Sequence, residues 1–211
     1  MKHSGTILIL AGLLLLGAAL GLVFFNLQRQ DEAQEDSTRI VSVLLPQIEI
    51  RREGAEKPRN DLPEQPLPYY LRNPDMEMPA VEIEGNDYIG VLTIPTLELS
   101  LPVMSEWSYD RLRIAPCRYY GSAYRSNLVI AAHNYFGHFG RLSELKLGDG
   151  VTFTDMDGNV FRYEVLELEQ LPSDAGGDMI IGDWDLTLFT CTIGGGMRIA
   201  VRCVQTEQFG G

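Results

Sequence analysis

The stretch Thr187-Leu188-Phe189-Thr190-Cys191 is an apolar segment typical of a β-strand, and it ends in a threonine and a cysteine. The turn signal Gly194-Gly195-Gly196 follows it, and Arg198 comes seven residues after Cys191. This order predicts a hairpin of two strands that brings a thiol close to a guanidinium. A cysteine held at the end of a rigid strand beside a cation has the setting of a thiolate nucleophile with an oxyanion partner.

The sequence upstream of this hairpin also consists of short strands. The run Leu128-Val129-Ile130-Ala131-Ala132 is typical of a buried strand and leads directly into His133. Asp157-Gly158 is the strongest short hairpin signal of the chain. Helical turns are predicted only at 109–114 and 142–147. The predicted strands, which together indicate an all-β barrel or sandwich, are 88–94, 97–103, 128–132, 151–154, 160–171, 186–192 and 197–205.

Length and charge limit the classes of function. The chain has 211 residues, enough for one domain with appendages, and a formal net charge of −12. Nucleic acid is excluded as a partner because its phosphates would be repelled, and no run of lysines or arginines offsets the charge.

The N-terminal residues 4–28 contain no charged side chain. An apolar segment of this length is long enough to cross a hydrocarbon core, which takes about 20 residues. The alternative is a cleaved signal peptide, with Gly17 and Ala19 as a small-x-small cleavage site. The apolar run continues to Phe25, beyond the usual length of a signal core, which favours a retained single-pass anchor. The short tail before it and the acidic segment after it favour a cell-membrane protein with its catalytic part outside the cytoplasm.

Residues 29–80 are predicted to form an acidic juxtamembrane stalk. This segment holds seven of the eleven prolines, which fix φ and remove hydrogen-bond donors, so it is expected to be extended rather than packed. One helix is predicted at 31–45, ended by Pro46. The predicted domains are therefore a cytoplasmic tail and anchor at 1–28, the stalk at 29–80 and a catalytic domain at 81–211.

The base for a reactive thiol must come from one of three histidines. His3 belongs to the tail on the far side of the membrane. His138 lies in a loop with two glycines, where its ring is expected to pack beside Phe136 or Phe139. His133 ends a strand and is the better candidate, since precise sites are built on rigid elements. A metal site that combines the histidines with a cysteine lacks any metal-binding spacing, so no metal and no cofactor are expected.

Strand alternation separates the three cysteines. Cys203 shares a face with Val201 and is predicted to be a small buried hydrophobe. Cys117 is predicted to be partly buried in a loop, with a disulfide to Cys203 as an alternative. Cys191 ends its strand beside a glycine turn, where its sulfur can face an opening. In an extracytoplasmic domain the odd number of cysteines indicates a free reactive thiol or an intermolecular bridge.

Two arginines compete for the role of oxyanion donor. Arg198 and Arg202 lie four apart on one face of the last predicted strand, and each carries a permanent charge with a fork of donors. Arg198 is nearer the turn and so nearer Cys191. The alternative is that both side chains only solvate the outer face of the strand.

Together these segments resemble the sortases, the membrane-anchored cysteine transpeptidases of Gram-positive bacteria. Residues 187–191 match the TLxTC signature of that family, Ala131-Ala132-His133-Asn134 is similar to its histidine segment, and Arg198 with the apolar residues that follow resembles its arginine strand. The resemblance covers about residues 88–205, the size of one small domain. It specifies the family and not a subclass.

The resemblance implies an eight-stranded closed β-barrel with His133 and Cys191 facing each other on one rim. It implies attack by the Cys191 thiolate on an LPxTG-like sorting signal, formation of an acyl-enzyme, and transfer to an amine acceptor from a cell-wall precursor or a pilin. His133 is then the acid and base, Arg198 the oxyanion donor, and Thr190 and Asn134 are expected to contact the substrate, with orientation of the site as a second role for Thr190. The alternatives are a hydrolytic cysteine peptidase and a membrane-anchored binding module without catalysis.

Overall fold

The computed structural model describes residues 2–56 and 67–206. Part of the predicted stalk, 57–66 with Pro58, Pro63 and Pro66, lies outside the described residues, as does 207–211. The remaining chain forms one long helix, one barrel and a few single helical turns. The helices are α1 Lys2–Glu56, α2 Tyr69–Arg72 and α3 Tyr109–Leu112, with 3-10 turns at Pro95–Leu97, Ala123–Arg125, Leu142–Glu144 and Gly177–Ile180.

Nine strands are present in this part of the chain: β1 Val81–Ile83, β2 Asn86–Ile94, β3 Leu99–Met104, β4 Cys117–Tyr120, β5 Leu128–Ala131, β6 Gly150–Asp155, β7 Val160–Pro172, β8 Leu186–Cys191 and β9 Met197–Gln205. Eight of them close a ring in the order β2-β3-β4-β5-β8-β9-β7-β6, because β6 pairs back onto β2. The short β1 only extends a hairpin with β2. The predicted eight-stranded closed barrel is confirmed, and every strand expected from the sequence is present.

The barrel has two apolar layers because successive strand side chains point to opposite faces. The interior is filled by one set of buried residues, among them Leu92, Phe153 and Leu188. The outer face carries a second set that includes Tyr88 and Phe189, and α1 packs against it. Barrel closure leaves no open sheet edge in the ring, so its two rims are where side chains can be presented to a substrate.

The helix predicted at 31–45 is present, but the extended conformation expected for the rest of 29–56 is wrong. The helix does not end at Pro46 but continues to Glu56, with Pro46 inside it. A proline in a helix interior costs about 3 kcal/mol because it removes a hydrogen bond and clashes with the preceding turn. The cost is offset by packing on both sides of the proline. The helical stripe that is buried against the barrel consists of Ala33, Ser37, Ile40, Val41, Leu44 and Ile48.

The N-terminal half of α1 differs from this packed half. It contains the apolar residues 8–27, which lie on no part of the barrel and are exposed. Within the described residues this is one helix long and apolar enough to cross a membrane. The division of the chain at 28 and 80 stays a prediction.

Candidate active site

The rim of the barrel at the ends of β5 and β8 brings His133 and Cys191 to equivalent positions. These strands are parallel, with Ala131 opposite Phe189. The pairing continues past the strand end, since the Ala132 amide donates to the Phe189 carbonyl at 3.2 Å. Two residues beyond the last pair, His133 follows β5 and Cys191 ends β8, so the two residues occupy equivalent positions at the same rim.

The antiparallel pairing of β8 with β9 brings the Arg198 guanidinium next to Cys191. Arg198 is the register partner of Cys191, and its Nη1 lies 3.9 Å from Cys191 Sγ. The Arg198 side chain is held in place by an Nε hydrogen bond of 2.9 Å to the Ser173 carbonyl and lies over the Phe189 ring. The cation therefore stands directly beside the thiol, where negative charge on the sulfur or on an attacked carbonyl would be stabilised.

Arg202 has a different environment although it lies on the same strand face. Its side chain is only 3% exposed and donates to Glu169 Oε1 at 2.8 Å. Its other donors reach the Thr187 hydroxyl and the carbonyls of Asp178 and Met179. Each of the three guanidinium nitrogens of Arg202 thus donates a hydrogen bond within the protein. The alternative that both arginines only solvate the outer face is wrong, because Arg202 is buried in a polar network and Arg198 contacts the thiol.

The three cysteines are unpaired, and Cys191 is the exposed one. Cys203 is fully buried in the barrel interior, as predicted. Cys117 is also fully buried and opens β4, so its assignment to a partly buried loop is wrong, and no disulfide joins it to Cys203. Burial raises the pKa of both Cys117 and Cys203 to about 12, because a thiolate is poorly solvated in an apolar core. Cys191 is therefore the accessible thiol for chemistry.

His133 is half-buried, and its ring lies 4.9 Å from the ring of Tyr135. Burial lowers the pKa of His133 below its usual value of 6.5, and the positive charge of Arg113 lowers it further. Both effects disfavour the imidazolium. The ring is therefore neutral at neutral pH and is able to accept a proton.

The other loop histidine, His138, has a structural environment. It is fully buried, and its Nε2 lies 3.1 Å from the hydroxyl of Ser37 on α1. Its aromatic neighbour is Tyr135 rather than the expected Phe136 or Phe139. Burial lowers the pKa of His138 to about 4, so the ring stays neutral. His138 joins α1 to the loop that follows His133, which is a contact that sequence analysis did not find.

Thr190 and Asn134, both expected to contact the substrate, have different positions. Thr190 is 2% exposed, and its hydroxyl donates to the Ala132 carbonyl at 2.8 Å. This hydrogen bond ties the ends of β5 and β8 together, as expected for a role of Thr190 in orienting the site, and its contact with substrate stays a prediction. Asn134 is partly exposed and lines a groove between α1 and the rim, together with Ile193. Its contact with substrate stays a prediction.

Helix α1 is the part of the site that sequence analysis missed. Gln30 Oε1 accepts from the Phe136 amide at 3.3 Å, and the side chain of Gln34 lies against Gly137. A side chain at position 137 would collide with Gln34, so glycine lets the loop approach the helix closely. No local pattern signals these contacts, which join residues about a hundred positions apart.

A family model and the similar solved structures all point to the same family. A family model described as the Sortase domain matches residues 92–206. A sortase D5 transpeptidase from Clostridium perfringens is 19% identical with a TM-score of 0.53 and covers 79% of this chain and 99% of its own. Sortase C from Streptococcus pneumoniae is 20% identical with a TM-score of 0.53, covering 79% and 91%. A sortase C from Clostridium perfringens, solved with the C-terminal cell wall sorting motif, is 24% identical with a TM-score of 0.51, covering 80% and 90%. These structures agree with this chain in fold. No curated protein sequence matches it.

Proposed function

This chain belongs to the sortase family and is a cysteine transpeptidase, and we propose that its reaction takes place at Cys191 with His133 and Arg198. The observation that carries this assignment is the rim geometry. The exposed thiol has the Arg198 guanidinium at 3.9 Å, and His133 follows β5, the strand that pairs in parallel with the strand of Cys191. The three groups that acyl transfer needs are a nucleophile, a proton acceptor and a charge donor, and they meet on one rim.

The steps follow from the protonation states. Neutral His133 accepts the thiol proton as Cys191 Sγ attacks the carbonyl carbon of the substrate, and Arg198 stabilises the oxyanion that forms. The imidazolium then gives its proton to the departing amine, and a thioester to Cys191 remains. An incoming amine loses its proton to His133 as it attacks the thioester. The C–S bond then breaks, and the imidazolium returns the proton to Cys191 Sγ, which restores the thiol. One imidazole thus acts as both acid and base.

The substrate class comes from the family. The donor is a surface protein with an LPxTG-like sorting signal, and the acceptor is an amine of a cell-wall precursor or a pilin. Thr190 acts as a positioning residue, because its hydrogen bond to Ala132 fixes the spacing between the ends of β5 and β8. Asn134 contacts the substrate or acceptor from the adjoining groove.

The apolar half of α1 anchors the chain in the cell membrane, with the barrel outside the cytoplasm. The side chains of residues 8–28 in its uncharged stretch have no protein cover, and an exposed apolar surface of this size requires lipid. Reporters fused to either terminus and assayed for their side of the membrane test this orientation. A chain found cut near Ala19 would instead establish a signal peptide.

A peptide assay tests the reaction. The full chain in detergent micelles is incubated with LPxTG-like peptides, with and without an amine acceptor, and the products are identified by mass. We expect an amine-linked product and a mass adduct on Cys191. The same thioester is open to water, so hydrolysis is a side reaction of the cysteine-peptidase type. Release by water alone at every acceptor concentration would make the enzyme a hydrolase, and no cleavage of any peptide would favour a binding module.

Arg198 and Arg202 give a matched pair of variants. We expect Arg198→Ala to lower turnover by about 10²–10³-fold, the cost of losing one oxyanion donor, without a change in the free energy of unfolding. Arg202→Ala is expected to lower that free energy by about 3–5 kcal/mol, because Glu169 and two carbonyls lose their buried partner. Turnover and thermal unfolding are measured on both proteins. A stable Arg202→Ala protein with the larger loss of turnover would transfer the role to Arg202.

Arg113 provides a test of the protonation state of His133. The positive charge of Arg113 adds to burial in lowering the pKa of His133. Arg113→Gln removes that repulsion, so the imidazolium becomes less unfavourable and the pKa of His133 rises toward its usual value. We expect the acid limb of the kcat/KM profile to move to higher pH, with the rate near neutral pH little changed. An unmoved acid limb would mean that His133 does not control it. Arg111→Gln is the control, since both arginines form an ion pair, Arg113 with Asp110 and Arg111 with Glu106, but only Arg113 lowers the pKa of His133.

A further inference from the structure

Helix α1 fixes the direction of the barrel relative to the membrane-spanning segment. At one end of its packed half, Gln30 binds the loop that follows His133. At the other end, Arg51 lies 3.4 Å from Asp157 in the β6–β7 turn. These residues are 21 positions apart, about 32 Å along a helix. The helix therefore runs from the rim that carries the active site to the opposite rim.

The rim that carries the active site is also the one next to the apolar half of α1. The uncharged segment ends at Gln28, only two residues before Gln30. Two helical residues span about 3 Å. If the segment up to Gln28 lies in lipid, the loop after His133 stands at the boundary between lipid and water.

Exposed apolar side chains project from this rim. Ile193 is 96% exposed and comes two residues after Cys191, and Phe136 is 63% exposed in the histidine loop. Both line the groove that Asn26 and Arg29 of α1 form with the rim. They thus continue the apolar surface of the helix, in which Leu27 is 54% exposed, onto the barrel.

The charge around this groove suits a lipid surface. The chain as a whole carries a net charge of −12, yet none of the described residues that line the groove is acidic. Its one charged residue is Arg29, whose guanidinium lies over the Phe25 ring. A cation at the end of an apolar helix with aromatic and aliphatic neighbours is the usual composition of a membrane interface.

From this arrangement we infer that the rim around Cys191 rests on the lipid bilayer, with Phe136 and Ile193 entering the interface and Arg29 at the level of the headgroups. The thiol then acts at the membrane surface, on peptide bonds that lie close to the lipid headgroups. This inference rests on the membrane anchor of the proposed function.

Site-specific fluorescence tests it in the full chain. In a Cys191→Ala background the two remaining cysteines are fully buried, so an introduced cysteine is the site that takes a thiol-reactive, environment-sensitive dye. Phe136→Cys and Ile193→Cys report on the rim. Leu16→Cys reports on the spanning segment, and Asp157→Cys is the matched control on the opposite rim. Each labelled chain is reconstituted in vesicles of phosphatidylcholine and phosphatidylglycerol, with and without a nitroxide attached to the lipid near its headgroup or along its acyl chain.

We expect both rim probes to lose fluorescence to the headgroup-level nitroxide, the Leu16→Cys probe to lose it to the acyl-chain nitroxide, and the Asp157→Cys probe to keep its emission in both cases. Quenching of the span probe without quenching of either rim probe would overturn the contact of the rim and leave the anchor intact. No quenching of any probe would overturn both the anchor and the inference. Equal quenching at Asp157→Cys and at the rim would overturn the proposed orientation, since the barrel would then have no preferred face toward lipid.

Discussion

Replacement of Cys191 by alanine is expected to reduce peptide transfer by about 10⁶-fold, the loss seen when the nucleophile of a covalent mechanism is removed. Without the sulfur no thioester can form, so the reaction has no intermediate for the amine to resolve. Mass spectrometry of the intact chain after incubation with substrate peptide is the measurement. The adduct seen on the native chain should be absent, and the amine-linked product should fall below detection.

Cys203→Ala is the control for the Cys191 variant. Its thiol is fully buried in the barrel interior, so its loss should lower the free energy of unfolding by about 1 kcal/mol and leave transfer at the native rate. If instead Cys191→Ala retained peptide processing, the chain would carry its reaction elsewhere. That result would favour the alternative that the chain is a binding module without catalysis at Cys191.

Replacement of His133 by alanine is expected to lower turnover by about 10²–10⁴-fold, the contribution of a positioned acid–base group. The thiol keeps its neighbour Arg198 but loses the group that accepts its proton and delivers it to the departing amine. Turnover is measured with a saturating amine acceptor. Addition of free imidazole should restore part of the loss, which a purely structural role for His133 would not permit.

Two further measurements separate this loss from damage to the fold. Because His133 is only half-buried, His133→Ala should unfold at nearly the native temperature, and its Cys191 should still be alkylated by iodoacetamide. His138→Ala, in contrast, should unfold at a lower temperature than the native chain. It removes the buried hydrogen bond to Ser37, whose hydroxyl keeps only the longer contact of 3.5 Å with the Ile114 carbonyl, and it should destabilise the chain. Native turnover in His133→Ala would remove His133 from the mechanism.

Local patterns were sufficient for seven of the nine strands and for the order of residues around the site, whereas β1 and β4 were not predicted. Alternation placed Cys203 inside the barrel and Arg198 on the outer face, and both positions are as predicted. The glycine turn between β8 and β9 sets the register that makes Arg198 the partner of Cys191. These features depend on residues that are close together in sequence, where strand period and turn chemistry act directly.

The helical conformation of 29–56 could not be predicted in this way. Pro46 has a strong local preference against a helix interior, and the sequence rule correctly states its cost. The helix persists because Leu44 and Ile48, on either side of the proline, are buried against the barrel. Packing between distant segments thus outweighs the local preference.

Short patterns of alternation, turn and strand end determined the strands on both sides of the site and the accessible thiol, and they selected His133 as the candidate base. Alternation alone left a barrel or a sandwich open, and the closed barrel was expected from the resemblance to the sortases. Only the tertiary structure decided that Arg202 is buried in its own network, that the Thr190 hydroxyl ties the ends of two strands together, and that α1 holds the histidine loop. These outcomes depend on contacts such as Ser37 with His138 and Arg202 with Glu169, whose partners are separated by many residues. Such contacts leave no periodic signal in the chain, since their energy appears only when the folded barrel brings the partners together.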